Sequence, residues 1–269
     1  MSTFSVHYPT GPAIPILLSV PHCGTAFPSE IADEYVPSLI QNPDDTDWFV
    51  DRLYEFAPGI GATMIAAEYS RWVIDLNRDP ENKPLYSDGR IITGLCPVTN
   101  FLGDPLYKDG RSEVASEEVN QRLEKYYWPY HNKLVDLLND IKARFGSVVL
   151  WECHSIRQYV SKVYPGKIPD LILGDADGTS AAPRLTDAAL GSLSSSGLTV
   201  NHNFPFKGGF ITRKYGVPTA GQHALQLEMT KVNYLEDDET TWSPERVSTM
   251  RALLEKTLIA LNAAITKTE

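Results

Sequence analysis

The sequence predicts an α/β sandwich built on a mostly parallel sheet, and three observations carry that expectation. Short apolar runs of strand length recur at residues 14–20, 147–153 and 224–229. Between them lie longer segments whose apolar residues return every three or four positions, the period of a helix lying on a sheet. Two of the runs lead into a histidine, His22 and His154. Parallel strands gather their C-terminal ends along one edge, where open α/β sheets bind their ligands.

Residues 14–20 follow Gly11 and Pro12 and stop at Pro21-His22, the pattern of a buried strand delivering His22 at its end. Asp44 or Asp45 is placed to cap a helix running to about Phe56, with Trp48, Phe49, Leu53 and Phe56 on its apolar face. Residues 62–67 and 72–76 read as strands. The stretch 77–111 is rich in Pro, Gly and Asp and reads as a long loop, a kind that commonly carries function. Residues 112–145 have a helical pattern divided by Pro129, whose ring and missing N–H should leave two pieces, and Gly146 closes the segment. The strand at 147–153 carries His154, a shorter one is expected at 170–173, a helix begins near Ala182, and the serines of 192–196 form a surface turn. A last strand at 224–229 precedes Ser243-Pro244, an N-cap followed by a first-turn proline. Val247, Met250, Leu254, Leu258, Leu261 and Ile265 form the buried stripe of that closing helix. No internal repeat is present, and residues 1–269 are expected to form one domain.

Composition narrows the function. With 42% hydrophobic and 22% charged residues, 269 residues supply enough apolar material for one large core. A net charge of −10 and a pI near 5.1 argue against an extended nucleic-acid or anionic-membrane surface, which clustered Lys and Arg would provide. A small anionic substrate remains compatible, because a few arginines focused in a cleft outweigh a diffuse negative surface. The three cysteines, Cys23, Cys96 and Cys153, are too few and odd in number for a disulfide framework. The first twenty residues lack the basic start and apolar stretch of a secretory leader, and no apolar run approaches the roughly 20 residues that span a bilayer. A soluble, cytoplasmic protein is expected.

The candidate chemistry begins with the two strand-end histidines. One alone would most simply cap a strand; two at matching positions suit a metal site, where neutral imidazoles are common ligands and a carboxylate completes the set. Asp44, Asp45 and Asp47 follow His22 closely. Helix capping accounts for at least one of them; Asp45 and Asp47 are the candidate ligands, with Asp47 preferred. Residues 70–78 place Arg71, Asp75 and Asn77 on one parity of an alternating strand, with Arg78 beside them. Arginine forks recognise carboxylates and stabilise oxyanions, although surface ion pairs would use the same residues. Glu228 stands among apolar neighbours near a strand end, where a carboxylate needs a partner or a task; its candidate task is general acid–base catalysis. In residues 203–213, Gly208 and Gly209 could let backbone N–H groups approach an anion, flanked by Lys207 and Arg213. A tight turn would explain the glycines but not the flanking cations.

Together these segments resemble the N-formylglutamate amidohydrolase (deformylase) family of histidine degradation. The resemblance runs from about Pro12 to Leu235 through Ser19-Val20-Pro21-His22, Asp44-Asp45-Thr46-Asp47, Ser70-Arg71, Asp75-Leu76-Asn77-Arg78, Cys153-His154-Ser155-Ile156-Arg157, Phe206-Lys207-Gly208-Gly209 and residues 223–229. That family is similar in turn to zinc carboxypeptidases and aspartoacylases, which implies a three-layer sandwich with a mixed sheet. Carried over by motif, the resemblance implies that His22 and His154 bind Zn2+ or another divalent transition metal. It further implies that Asn77 and Arg78 hold a substrate carboxylate, Arg71 polarises the carbonyl, and Glu228 shuttles protons. The carboxypeptidase pattern has a glutamate ligand three residues after the first histidine, where this chain has Thr25. The third ligand is therefore sought in residues 44–47. The second carboxylate of a formylglutamate substrate falls to Lys207 or Arg213 beside Gly208 and Gly209.

The expected activity is metal-dependent hydrolysis of N-formyl-L-glutamate to formate and glutamate. Three competing readings differ in a checkable feature: a zinc deacylase of another N-acyl acidic amino acid or small peptide, a cysteine nucleophile at Cys23 or Cys153, and a non-catalytic binder of acidic metabolites. His22 and Cys23 are poorly placed to pair, because adjacent strand residues face opposite ways. A silent binder would have lost Glu228 or a histidine, and all three are present.

Overall fold

The computed structural model describes residues 2–85 and 93–266. Seven strands form one mixed sheet: β1 (Phe4–His7), β2 (Ile16–Val20), β3 (Thr63–Ala67), β4 (Val148–Ile156), β5 (Leu171–Gly174), β6 (Val200–His202) and β7 (Gln222–Thr230). Their spatial order is β1-β3-β2-β4-β7-β5-β6. The central four, β3, β2, β4 and β7, are parallel; β1 pairs antiparallel with β3, and β5 pairs antiparallel with β7 but parallel with β6. The mostly parallel mixed sheet expected from the sequence is therefore present. The C-terminal ends of β2, β4 and β7 lie side by side, which brings His22, His154 and Glu228 to one edge.

The helices are α1 (Ser29–Ala32), α2 (Pro37–Ile40), α3 (Val50–Leu53), α4 (Ser116–Arg122), α5 (Trp128–Phe145), α6 (Pro183–Ser194), α7 (Phe210–Tyr215) and α8 (Pro244–Thr266). Alternate residues of the sheet feed two separate cores. On one face Trp151, Cys153, Leu225 and Leu227 pack with Leu185 and Leu193 of α6 and with Met250, Leu254, Leu258 and Leu261 of α8. On the other, Leu17, Ile65, Leu150 and Ala224 pack with Leu134, Leu137 and Ile141 of α5. The outcome is three layers, helix on sheet on helix. The stripe expected for α8 is buried, with Thr257 added to it. No helix among the described residues is long and apolar enough to cross a membrane.

Pro129 does divide the helical stretch, and the joint is one π-helical turn at Leu123–Tyr127. Gly146 ends α5 in the left-handed conformation at φ 80°, which glycine enters without a Cβ penalty. Two local expectations fail. The helix anticipated from Asp44 or Asp45 to Phe56 shrinks to α3, because Phe49 takes a left-handed φ of 59° and the aspartates are drawn into tertiary contacts. Residues 72–76 form no strand; they run as turns and loop. Arg122 pins that loop from beneath, its Nη1 donating to the Val73 carbonyl (2.8 Å) and to the hydroxyls of Tyr35 and Tyr107. Trp72 Nε1 donates to Asp45 Oδ2 at 2.9 Å. The apolar pattern of this loop comes from burial under the sheet edge, not from strand pairing.

Candidate active site

A cleft opens beyond the ends of β2, β4 and β7. Its lining includes His22, Asp47, His154, Arg71, Asn77, Arg78, Gln226 and Glu228, with Phe101, Ile156 and Phe206 as apolar wall. Backbone register sets two of these residues together: His154 on β4 is directly opposite Glu228 on β7. Asp47 comes from the loop between α2 and α3, tied down where its N–H donates to the His22 carbonyl at 3.0 Å.

His22, Asp47 and His154 each offer one ligand atom, all within 4.8 Å of one another. His22 Nε2 donates to Asp75 Oδ1 at 2.7 Å, which leaves Nδ1 as the free lone pair. Burial, with the Arg71 charge adding to it and Asp75 opposing, holds this imidazole down at about 4, so it is neutral at pH 7. Its Nδ1 is buried without a hydrogen-bond partner, 3.8 Å from Asp47 Oδ2. His154 Nδ1 lies 3.1 Å from the same Asp47 oxygen. The other nitrogen of His154 has a partner for either tautomer. Asn77 Nδ2, at 3.1 Å, suits an unprotonated Nε2, whereas Glu152 Oε1, at 3.4 Å and otherwise lacking a partner, suits Nε2–H. Burial opposes protonation of His154, yet the bonds to Asp47 and Glu152 outweigh it and raise the ring to about 10.

This donor set fits a divalent transition metal. A cation shared by Asp47 and the two Nδ1 atoms would engage the orphaned nitrogen of His22. It would also send the His154 proton to Nε2, facing the orphaned oxygen of Glu152. Two imidazoles and a carboxylate opening on a cleft are a common catalytic ligand set for zinc.

Asp75 is the hub beneath. It is fully buried, takes Arg71 Nη2 at 2.6 Å and the Asn77 backbone N–H at 2.9 Å, and stands 3.7 Å from Arg78. Burial alone would raise its carboxyl, but Arg71, Arg78 and His22 together hold it well below the usual carboxylate range. Glu228 goes the other way. Removal from water pushes its carboxyl above the usual range against the attraction of His154, and repulsion from Asp47 adds to the rise.

Of the sequence-derived candidates, His22, Asp47, Arg71, Asn77, Arg78, His154, Gly209 and Glu228 meet in the cleft. Lys207, Gly208 and Arg213 do not line it. Lys207 Nζ bonds to Asp177 Oδ2 at 2.9 Å, and Arg213 Nε donates to the Gly208 carbonyl at 3.0 Å. At the Gly208-Gly209 turn, expected to receive an anion, the Gly209 N–H is given to Gln226 Oε1 at 2.7 Å. Asp45 accepts from Trp72 and Phe101 outside the ligand group, and Asp44 pairs with Arg157. His202 and His223 lie away from the cleft. Burial raises the thiols of Cys23 and Cys153, and Cys153 packs into the core on the sheet face opposite His154, so neither is a poised thiolate. Asp75, Glu152 and Gln226 received no role from the sequence. For Glu152 a signal existed: a lone carboxylate in an apolar strand, two residues before His154 and hence on its face.

The fold and this cleft define a hydrolase of the α/β class with a candidate metal centre and a carboxylate, Glu228, in the same cleft. The model of the N-formylglutamate amidohydrolase family matches residues 14–235, and the chain belongs to that family. It is similar to N-formylglutamate deformylase from Pseudomonas putida, 40% identical over 252 residues and 93% of each chain. The deformylase from Pseudomonas aeruginosa is 38% identical over 253 residues, again 93% of each. Among solved structures, N-formylglutamate amidohydrolase from Ralstonia eutropha superposes with a TM-score of 0.80 at 30% identity, covering 98% of this chain and 97% of that one. A gene product of Agrobacterium tumefaciens shares the fold, with a TM-score of 0.71 at 20% identity over 96% of each. The protein is thus an amidohydrolase, cleaving a linear amide bond.

Proposed function

We propose that the protein hydrolyses N-formyl-L-glutamate to formate and L-glutamate in a metal-dependent reaction. One observation carries the reading: the converging donor atoms of His22, Asp47 and His154 share a cleft lined by Arg71 and Arg78 with Glu228, the register partner of His154 on β7. The names of the relatives support the substrate.

His22, Asp47 and His154 would hold a divalent ion such as Zn2+, which would supply Lewis acidity and lower the pKa of a water to about 7, as in other zinc hydrolases. Glu228 accepts a proton from the attacking water; its raised carboxyl is suited to hold that proton and hand it to the departing amine nitrogen. The water oxygen bonds to the formyl carbon, the C–N bond breaks, and formate and glutamate leave. Arg71, fixed by Asp75 and facing the cleft, stabilises negative charge developing on the formyl oxygen. Arg78, held through Thr93 and the Asn77 carbonyl, with Asn77, orients a carboxylate of the substrate.

Formate release from N-formyl-L-glutamate, followed before and after chelation and after return of Zn2+, tests this. Activity is expected to vanish and recover. Release of acetate from N-acetylglutamate in preference to formate would shift the reading to a different N-acyl group, and turnover indifferent to chelation would remove the metal.

A further inference from the structure

The bond made by the Gly209 N–H leads to a residue that the proposed mechanism leaves unused. Gln226 lies on β7 two residues before Glu228 and therefore on the same sheet face. It is 5% exposed and lines the cleft. Its Oε1 accepts the Gly209 N–H at 2.7 Å, and because only the oxygen of an amide can accept, this bond fixes which way the side chain is turned. The Nε2 group is consequently directed away from the turn, and no described residue accepts from it. Ile211 does the same to Asn77, giving its N–H to Oδ1 at 2.8 Å so that Nδ2 points inward. The turn thus acts as a clamp on two amides. It needs glycine, since a Cβ on Gly209 would lie 2.3 Å from Asn77 Nδ2.

We propose that Gln226 Nε2 donates a hydrogen bond to a carboxylate oxygen on the amino-acid half of the substrate, making Gln226 a specificity-determining residue. An amide N–H that opens into a cleft taking an anionic substrate, and that no described residue accepts from, is a donor the substrate can meet. Residues two apart on a strand are separated by about 6.6 Å. That spacing puts the donor a few bonds' reach from the amide that Glu228 serves. The inference rests on the reading of the substrate as an N-acyl acidic amino acid.

The test uses Gln226→Glu and Gln226→Met in the full-length metal-loaded enzyme. Gln226→Glu keeps an acceptor for the Gly209 N–H and turns the donor into a negative charge; Gln226→Met removes the donor without adding charge. Both should raise KM for N-formyl-L-glutamate, Gln226→Met by about 10- to 100-fold, with kcat held within about threefold. The penalty should largely disappear for one of two monoamides, the α-amide or the γ-amide of N-formylglutamate, and that one identifies the carboxylate. An unchanged KM, or an equal penalty on the diacid and both monoamides, overturns the proposal. If the wild-type enzyme releases no formate, the functional reading fails by itself. Calorimetric binding of L-glutamate and its two amides then decides the matter: weaker glutamate binding by Gln226→Met upholds the role, and absent or equal binding overturns it.

Discussion

Glu228 and Asp75 are both buried or nearly so, yet their surroundings drive them in opposite directions, one towards holding a proton and one away from it. Their variants should separate accordingly. Glu228→Gln is expected to lower kcat by about 10²- to 10⁴-fold while bound metal stays at the wild-type level; loss of the metal along with activity would make Glu228 structural. Asp75→Asn removes the anion that orients His22, so metal affinity should fall by about 10- to 100-fold, measurable by competition with a chromophoric chelator. An unchanged affinity would deny the orienting role. The residues that the sequence made legible were those at the ends of apolar runs, His22, His154 and Glu228, where a polar residue interrupts a buried pattern. Asp75 was visible only as one of several charges near Arg71. Its function depends on a fold-imposed meeting with His22, 53 positions away, which no local spacing encodes.

Periodicity identified α5 and α8, each with one side in a core, and continuous apolar runs identified β4 and β7, whose alternate residues enter the cores on both faces of the sheet. Periodicity failed where burial came without regular structure, as in the loop at residues 72–76, whose Val73 carbonyl is held by Arg122 and whose Trp72 indole is held by Asp45. The short β1, β6 and α7 carry too few residues to show a period at all. One element offers a pH test. On α5, His131 is 2% exposed and stacked on Tyr127, with centroids 4.0 Å apart. Its Nε2 contacts the Leu76 carbonyl and its Nδ1 the Tyr215 hydroxyl. Burial lowers this imidazole to about 4, against the pull of the Leu76 carbonyl. A depressed folded value means that the contribution is complete above the unfolded value of about 6.5 and is lost as pH falls through about 4, roughly 3 kcal/mol in all. On acidification the metal-free protein should therefore lose this contribution to its resistance to denaturant, with His22 acting in the same direction and Glu228, raised to about 8, opposing. A His131→Gln variant should show a shallower slope by about one proton over that window; an identical slope would mean that His131 does not titrate there.

For the molecule as a whole, the candidate ligands come from two strand ends and the loop between α2 and α3, so a bound ion would tie these parts together. Zn2+ at about 100 times its dissociation constant should add about 2.7 kcal/mol to stability. For a chain of this size that is a rise of about 5–10 °C in Tm, to be read by calorimetry with and without chelator; no shift would argue against a site in the folded state. The pairing of β4 with β7 has a kinetic corollary. Sliding either strand by one position would turn His154 or Glu228 into the apolar layer and expose Cys153 or Leu227 in its place. Inactivation during a denaturant titration should then coincide with the collapse of tertiary signal, because no partly unzipped form could retain turnover.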